Sequence, residues 1–372
     1  MSRQHSRPVA VPNPAGTELV ERVNAALRSY LRQRRNDIAR VDPRVADAVG
    51  ALTAFVLDGG KRVRPTFAWW GWRGCGGQAE GPRAETVLHA VSALELVQAN
   101  ALLHDDLMDG SDTRRGNPSV HVAFARQHRD SGWQGPPERF GAAAAILLGD
   151  LALAWADDMF HGAGLAERME RRARPVWASM RTDMLGGQYL DIHSQATADA
   201  SLETALRIDR YKTAAYTVER PLQLGAALAG GSEEIVAAYS RFGADIGVAF
   251  QLRDDQLGVF GDPEVTGKPA GDDIREGKRT LLMALALRSA REHRDEEALR
   301  TLQAALGDSS LTADGVDRVR ATLEELGAPA EIEQRIATLT KSAVAALAEA
   351  EVAEVAATRL LELAQAATRR RA

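Results

Sequence analysis

The residues 102 to 116, LLHDDLMDGSDTRRG, set three carboxylates, Asp105, Asp106 and Asp109, at the end of an apolar run and place Arg114 and Arg115 just beyond. On a helix, Asp105 and Asp109 share one face a turn apart with Asp106 beside them. Unpaired they repel. Two readings compete: a solvated helix end of mixed charge, or a mount for hard divalent cations with arginines for phosphate oxygens. A second acid pair, Asp254 and Asp255 in FQLRDDQLGVFGD, again follows an apolar helical pattern. Two acid pairs on buried helices are unfavourable unless a metal or a cationic partner compensates them. Together they suggest two walls of one metal-lined cavity.

Cationic groups complete the pattern. GGKRVRP, residues 59 to 65, places Lys61, Arg62 and Arg64 in a Gly-flanked loop that ends in a helix-starting Pro, which suits a diphosphate. YKT supplies Lys212 and Thr213 in mid-helix, and TGKPAGDDIREGKRT supplies Lys268 and then Lys278. Each lysine alone reads as a surface charge. Their co-occurrence with two acid clusters exceeds what a single phosphate ester needs. His89 and His104 lie on the same segment as the first acids and read as packing residues.

Helices must position these groups. Aromatics make up only 5% of the chain and no alternating β-branched run is present, so the fold is expected to be all-α. The helical pattern spans roughly 17 to 40, 44 to 58, 65 to 73, 83 to 109, 118 to 128, 139 to 161, 164 to 190, 201 to 230, 232 to 261, 278 to 291, 294 to 306, 313 to 326 and 329 to 369. The segments 83 to 109 and 232 to 257 are apolar over most of their circumference, as interior helices are. Gly and Pro cluster at 73 to 82, 129 to 138 and 260 to 273, each short, so residues 17 to 372 read as one domain after a disordered leader of 1 to 16.

A chain of 372 residues with 45% hydrophobic and 26% charged residues can bury a sizeable core. The net charge of -5 argues against a broad nucleic-acid surface. A single cysteine, Cys75, cannot form an internal disulfide. The N-terminus lacks a signal-type apolar region, and no later stretch is expected to span a membrane. These features point to the cytoplasm.

At this point the chain resembles a known family. DDLMD followed by RRG, GGKRVRP before it, and FQLRDD followed by GKPAGDD are similar, in the same order, to the all-α trans-isoprenyl diphosphate synthases. The resemblance covers about residues 40 to 290. It implies the isoprenoid synthase fold, a single large orthogonal helical bundle around a central cavity, working as a homodimer. The implied reaction joins isopentenyl diphosphate to an allylic diphosphate (dimethylallyl, geranyl or farnesyl) and releases diphosphate. It implies Mg²⁺, three ions per site, held by Asp105, Asp106, Asp109, Asp254 and Asp255. Lys61, Arg64, Gln98 and Arg115 match the isopentenyl diphosphate site, and Arg114 faces the allylic diphosphate with Thr213 also among the substrate contacts. Lys212, Gln251 and Lys268 match groups around the departing diphosphate and the developing cation.

One position departs from the family pattern. The second motif commonly reads Asp-Asp-x-x-Asp, and here its third acid is Gly258. Asp262, Asp272 and Asp273 are alternatives. Chain length is the other expectation. In the family, bulky aromatics four and five residues before the first Asp close the product channel early; here those positions are Ala101 and Asn100. The channel should stay open to a floor near Val97 or Leu94, about 12 and 16 Å below Asp105, and the expected product is C20 geranylgeranyl diphosphate.

Other classes remain. A farnesyl or longer polyprenyl synthase shares every motif. A non-catalytic partner subunit is favoured only by Gly258. A terpene cyclase has no second diphosphate for the GGKRVRP loop, Gln98 and Arg115 to hold. A metal-dependent phosphohydrolase is suggested by the His and Asp pattern but asks for neither that loop nor a second Asp-Asp helix.

Overall fold

The computed structural model describes residues 16–261 and 271–369. The leader expected over 1 to 16, Gly16 excepted, therefore lies outside the described residues, as do Lys268 and Asp262. The first half comprises α1 (Thr17–Ile38), α2 (Pro43–Leu57), α3 (Val63–Gly74), α4 (Pro82–Ser92), α5 (Leu94–Met108), α6 (Val120–Asp130), α7 (Pro137–His161) and α8 (Glu167–Thr197). Next, α9 (Leu202–Ile208) continues directly into a π-helical segment, Asp209–Glu219, and then into α10 (Arg220–Ala229). The remainder is α11 (Glu233–Phe260), α12 (Asp272–Arg275), α13 (Leu281–His293), α14 (Glu296–Ala305), α15 (Ala313–Glu325), α16 (Ala328–Ala348) and α17 (Glu354–Thr368).

The all-α expectation holds, with one small addition. Thr113–Arg114 pairs antiparallel with Asn117–Pro118 in a two-residue hairpin. Arg115 and Gly116 form its tip at φ 54° and 76°. Positive φ at both turn positions is the type I′ pattern whose twist matches paired strands, and a non-glycine residue there is held at some strain.

Three expected helices divide, each for a tertiary or buried reason. The 83 to 109 segment breaks at Ala93, where the buried Ser92 hydroxyl donates to the Leu88 carbonyl at 2.7 Å; such back-bonding bends helices. The 201 to 230 segment widens into the π register. The 329 to 369 segment opens between α16 and α17, where the Ala353 amide donates to the Gly74 carbonyl at 3.0 Å, a contact from 279 positions earlier that no local Gly or Pro foretells.

Two stretches, Pro82–Met108 and Pro137–His161, are long and apolar enough to cross a membrane, which corrects the expectation that none would be. Helices interior to a large bundle meet the same test: 72% of the first window is buried in the fold, and 39% of the second. The loop at 129 to 138 is packed rather than loose. Trp133 lies edge-on to Phe140 and His128 at 5.2 and 5.8 Å, and the His128 Nε2 contacts the Gln134 carbonyl.

The core has three parts. The largest joins α1 to α8, a second joins α9 and α11 to α13 through α16, and a third places Phe67, Tyr239, Phe242 and Leu360 between α3, α11 and α17. Where α8 and α11 meet the π-helical segment, they do so through glycine. A Cβ at Gly187 would lie 2.1 Å from the Lys212 nitrogen, one at Gly247 2.5 Å from the Ala214 Cα, and one at Gly243 2.4 Å from the Glu219 Cα. These close approaches set the depth of the wall that carries Lys212.

Candidate active site

The C-terminal end of α5 presents the first acids. Lys212, from the π-helical segment, donates to Asp105 at 2.9 Å and also pairs with Asp191 of α8, while the Gln188 amide donates to Asp105 at 3.1 Å. Burial opposes ionisation of Asp105, yet Lys212 and Lys278 hold its carboxyl well below the usual carboxylate range. Lys212 shows the converse: burial works against its charge, and Asp105 and Asp191 keep it protonated far into alkali. Arg114 returns from the hairpin to pair with the buried Asp106, its Nε donating at 2.8 Å.

Lys278 ties the two acid regions together. Its ammonium lies 3.2 Å from Asp109, 3.3 Å from Asp273 and 2.7 Å from Glu276. Burial disfavours its charge, but these carboxylates outweigh it and raise its pKa well above the usual lysine value. Asp109 is pushed up to about 6, by burial first, then by neighbouring Asp105 and Glu276 against the pull of Lys278 and Lys212.

On the opposite wall, Asp254 is half-buried and Asp255 buried on the last turns of α11. The Gln251 amide donates to Asp255 Oδ1 at 2.6 Å, leaving Oδ2 buried without a hydrogen-bond partner. Burial, then Asp209 and Asp273, raise the Asp255 pKa well above the usual value. The missing third acid of this motif has a spatial replacement: a Cβ at position 258 would lie 2.2 Å from Asp273 Oδ2. The Asp273 carboxylate therefore occupies the space that a side chain at 258 would need, and the Gly271 amide donates to the Gly258 carbonyl at 3.1 Å. Of the alternatives among the described residues, Asp272 and Asp273, it is Asp273 that is brought to Gly258.

The basic loop divides into inward and outward residues. Arg62, at φ 50°, turns into the core and donates to Asn24 at 2.7 Å, Glu95 at 2.7 Å and the Val56 carbonyl at 2.8 Å. It anchors the loop, which corrects its reading as part of a phosphate cradle. Lys61 is exposed. Arg64 lies over the Tyr216 ring at 4.0 Å and donates to Thr217 at 2.8 Å, while the Tyr216 hydroxyl donates to Gln98 at 2.8 Å. Arg115 reaches the same loop, donating to the Asp58 carbonyl at 2.9 Å beside Gly59 and Gly60. Thr213 is half-buried next to Lys212.

On α5, Val97 and Leu94 are buried and Ala101 is packed against the same core. Asn100 is turned toward α7 and donates to the Gly149 carbonyl at 3.1 Å. This departs from its expected place beside the channel: a buried amide takes the partner within reach. His104 contacts the Ile146 carbonyl at 3.2 Å and His89 packs edge-on to Tyr30, both as packing residues.

Sequence reading missed Gln188, Asp191, Tyr216 and Thr217, and gave Lys278 no particular place. GGQYLD carried a signal, an amide and an acid three residues apart on an otherwise ordinary helix. The others carried none, because an α-helical count misplaces the faces of a π segment.

Among the described residues no three acids converge as a ready-made metal ligand set. The acids nevertheless fit divalent cations shared with a substrate. Asp109 and Asp255 are held toward neutrality by burial, Asp255 keeps an unsatisfied buried oxygen, and Mg²⁺ takes one or two carboxylates plus phosphate oxygens.

Residues 48–319 match the polyprenyl synthetase family model. The chain is 34% identical over 292 residues to the geranylgeranyl diphosphate synthase of Mycobacterium tuberculosis, covering 78% of this chain and 75% of that protein. It is 34% identical over 244 residues to the geranylfarnesyl diphosphate synthase of Aeropyrum pernix, 65% of this chain and 70% of that one. The crystal structure of the geranylgeranyl pyrophosphate synthase of Corynebacterium glutamicum, complexed with isoprenyl diphosphate and magnesium, superposes with a TM-score of 0.91 at 45% identity over 95% of this chain and 99% of that one. Fold and site thus define an all-α prenyltransferase of the isoprenoid synthase fold. The chain belongs to the polyprenyl synthetase family, and its activity is prenyl chain elongation.

Proposed function

We propose that this enzyme condenses isopentenyl diphosphate head to tail with an allylic diphosphate and stops at the C20 product, all-trans geranylgeranyl diphosphate. The observation that carries the reading is the convergence of two acid regions through Lys278 beside a separate basic group, Arg64 with Gln98 and Arg115. One acidic surface for metal ions and one separate cationic surface suit two diphosphates, whereas a cyclase needs only the first.

In this reading Asp105, Asp106, Asp109, Asp254 and Asp255 hold Mg²⁺, three ions per site, with Asp273 standing in for the absent third acid of the second motif. When bound, the metal stabilises negative charge on the diphosphate oxygens. Arg114 orients the allylic diphosphate, and Lys212 and Lys278 stay protonated to stabilise the leaving oxygen. Lys268 and Gln251 belong to the same group. Lys61, Arg64, Gln98, Arg115 and Thr213 hold isopentenyl diphosphate so that its double bond meets the allylic carbon, which makes the encounter effectively intramolecular. No side chain is needed as a proton acceptor, because the released diphosphate takes the proton.

Product length follows from Ala101, too small to block a chain descending past Val97 toward Leu94. Two further statements belong to this reading: one catalytic domain over 17 to 372, acting as a cytoplasmic homodimer. Exposed apolar residues on α7 and α8 support the dimer, Leu147 being 68% and Tyr189 66% exposed, with Ile146, Leu185 and Ile192 exposed on the same two helices. The unpaired Cys75 accords with a reducing compartment.

Incubation with isopentenyl and farnesyl diphosphates and Mg²⁺, followed by sizing of the dephosphorylated alcohols, tests the reading. Geranylgeraniol is expected, and a product stopping at C15 overturns the C20 assignment. Turnover without isopentenyl diphosphate would favour a cyclase.

A further inference from the structure

The π-helical segment, Asp209–Glu219, is 11 residues long, well beyond a single-turn bulge. Its inner side is held: Gly187, Gly243 and Gly247 let α8 and α11 press directly on its backbone. Its entry is held less well. Leu206, Arg207, Arg210 and Tyr211 border an open cavity of about 970 Å³ lined on its other side by Gln334, Arg335 and Leu339 of α16. Packing therefore leaves room for the entry to the segment to relax.

From that entry one ion pair reaches the far end of the segment. Arg210, second in the segment, pairs with Glu219, its last residue. The Glu219 side chain is 5% exposed; its Oε2 faces Arg210 Nη1 as an ion pair outside hydrogen-bond geometry, and its Oε1 accepts a 3.4 Å bond from Gln223. Neither residue belongs to the chemistry described above. A buried carboxylate so dependent on one guanidinium makes separation of the two ends unfavourable.

Register is what the pair protects. In an α-helix each residue advances about 100° around the axis, against roughly 80° in the wider π form. Relaxation to α would swing Tyr216 about 80° relative to Lys212, four residues earlier. Tyr216 and Thr217 are the two residues that grip Arg64.

We propose that the Arg210–Glu219 ion pair is a positioning device that holds the π register and thereby places Arg64 for isopentenyl diphosphate. The proposal rests on the reading of Arg64 as a ligand of that substrate.

The test measures KM for each substrate in the full-length enzyme carrying Arg64→Ala, Glu219→Gln, Arg210→Lys, or Arg210→Met with Glu219→Met, the last removing the pair without stranding a buried charge. Glu219→Gln and the double methionine variant should raise KM for isopentenyl diphosphate about tenfold and leave that for farnesyl diphosphate within about twofold. Arg210→Lys should stay within about threefold of the parent, and adding Glu219→Gln to Arg64→Ala should change KM for isopentenyl diphosphate no further. If Glu219→Gln fails to fold, the double methionine variant decides. A lowered melting temperature with unchanged KM for isopentenyl diphosphate overturns the positioning role. An Arg64→Ala enzyme with unaltered KM for that substrate overturns the underlying reading of Arg64 instead.

Discussion

The two acid regions of the site are built differently. At the end of α5, the acids and the arginine that pairs with them come from ten consecutive positions, Asp105 to Arg114, and a type I′ hairpin folds Arg114 back onto Asp106. At the end of α11, the motif is incomplete, and the carboxylate that fills the space over Gly258, Asp273, arrives from beyond the segment 262 to 270. Lys278 is bonded to both regions. A local motif is specified by spacing, whereas a composite one is specified only when a returning chain fills the space that a glycine leaves. Gly258 is thus spatially complementary to Asp273.

Breaking the local region should have the largest effect. Asp105→Ala removes the partner of Lys212 and Gln188 and should lower kcat on the order of 10³-fold with the helical circular dichroism spectrum retained; a loss under tenfold would remove Asp105 from the chemistry. Removing the link comes next. Lys278→Met leaves Asp109, Asp273 and Glu276 facing one another and should lower kcat about 10²-fold while lowering the Mg²⁺ concentration needed for half-maximal rate, since the uncompensated carboxylates attract the cation more strongly; an unchanged Mg²⁺ requirement would separate Lys278 from the metal mount.

The composite region can be tested by exchange. Gly258→Asp places its Cβ against Asp273 and should lower kcat about tenfold, although it restores the usual motif. Combining it with Asp273→Gly should recover activity to within about threefold, and additive losses would show that the two positions do not share one role. The smallest effect is expected in the scaffold. Gly187→Ala pushes on the Lys212 backbone and should destabilise by about 1–3 kcal/mol, read in urea unfolding, with kcat falling alongside. In the first region again, Ala101→Phe should shorten the product with little change in rate, and an unchanged product would place the channel floor elsewhere.

Much of the site was legible before folding. Acid pairs after apolar helices, arginines after a turn and a Gly-flanked basic loop each carry their chemistry in local spacing, and the structure brings Asp105, Asp109, Arg114 and Lys212 together. What misled was geometry at longer range. Arg62 and Arg64 look equivalent in GGKRVRP, yet a left-handed residue turns the first inward to Glu95. Asn100 matches a channel position of the family it resembles, yet the nearby Gly149 carbonyl takes its amide. Tyr216 and Thr217 looked like helix filler because the π register cannot be read from residue types.

The sequence by itself determined the helical class, the acid and base inventory and the order of the motifs, because periodicity and spacing are local properties of the chain. Only the tertiary structure decided that Asp273 takes the space over Gly258, that Lys278 joins the two acid regions, and that a widened helix presents Lys212, Tyr216 and Thr217 together. The first and last depend on the space that Gly258, Gly187, Gly243 and Gly247 leave to a neighbouring element, and the second on side chains meeting from separate elements, where no residue type announces its neighbour.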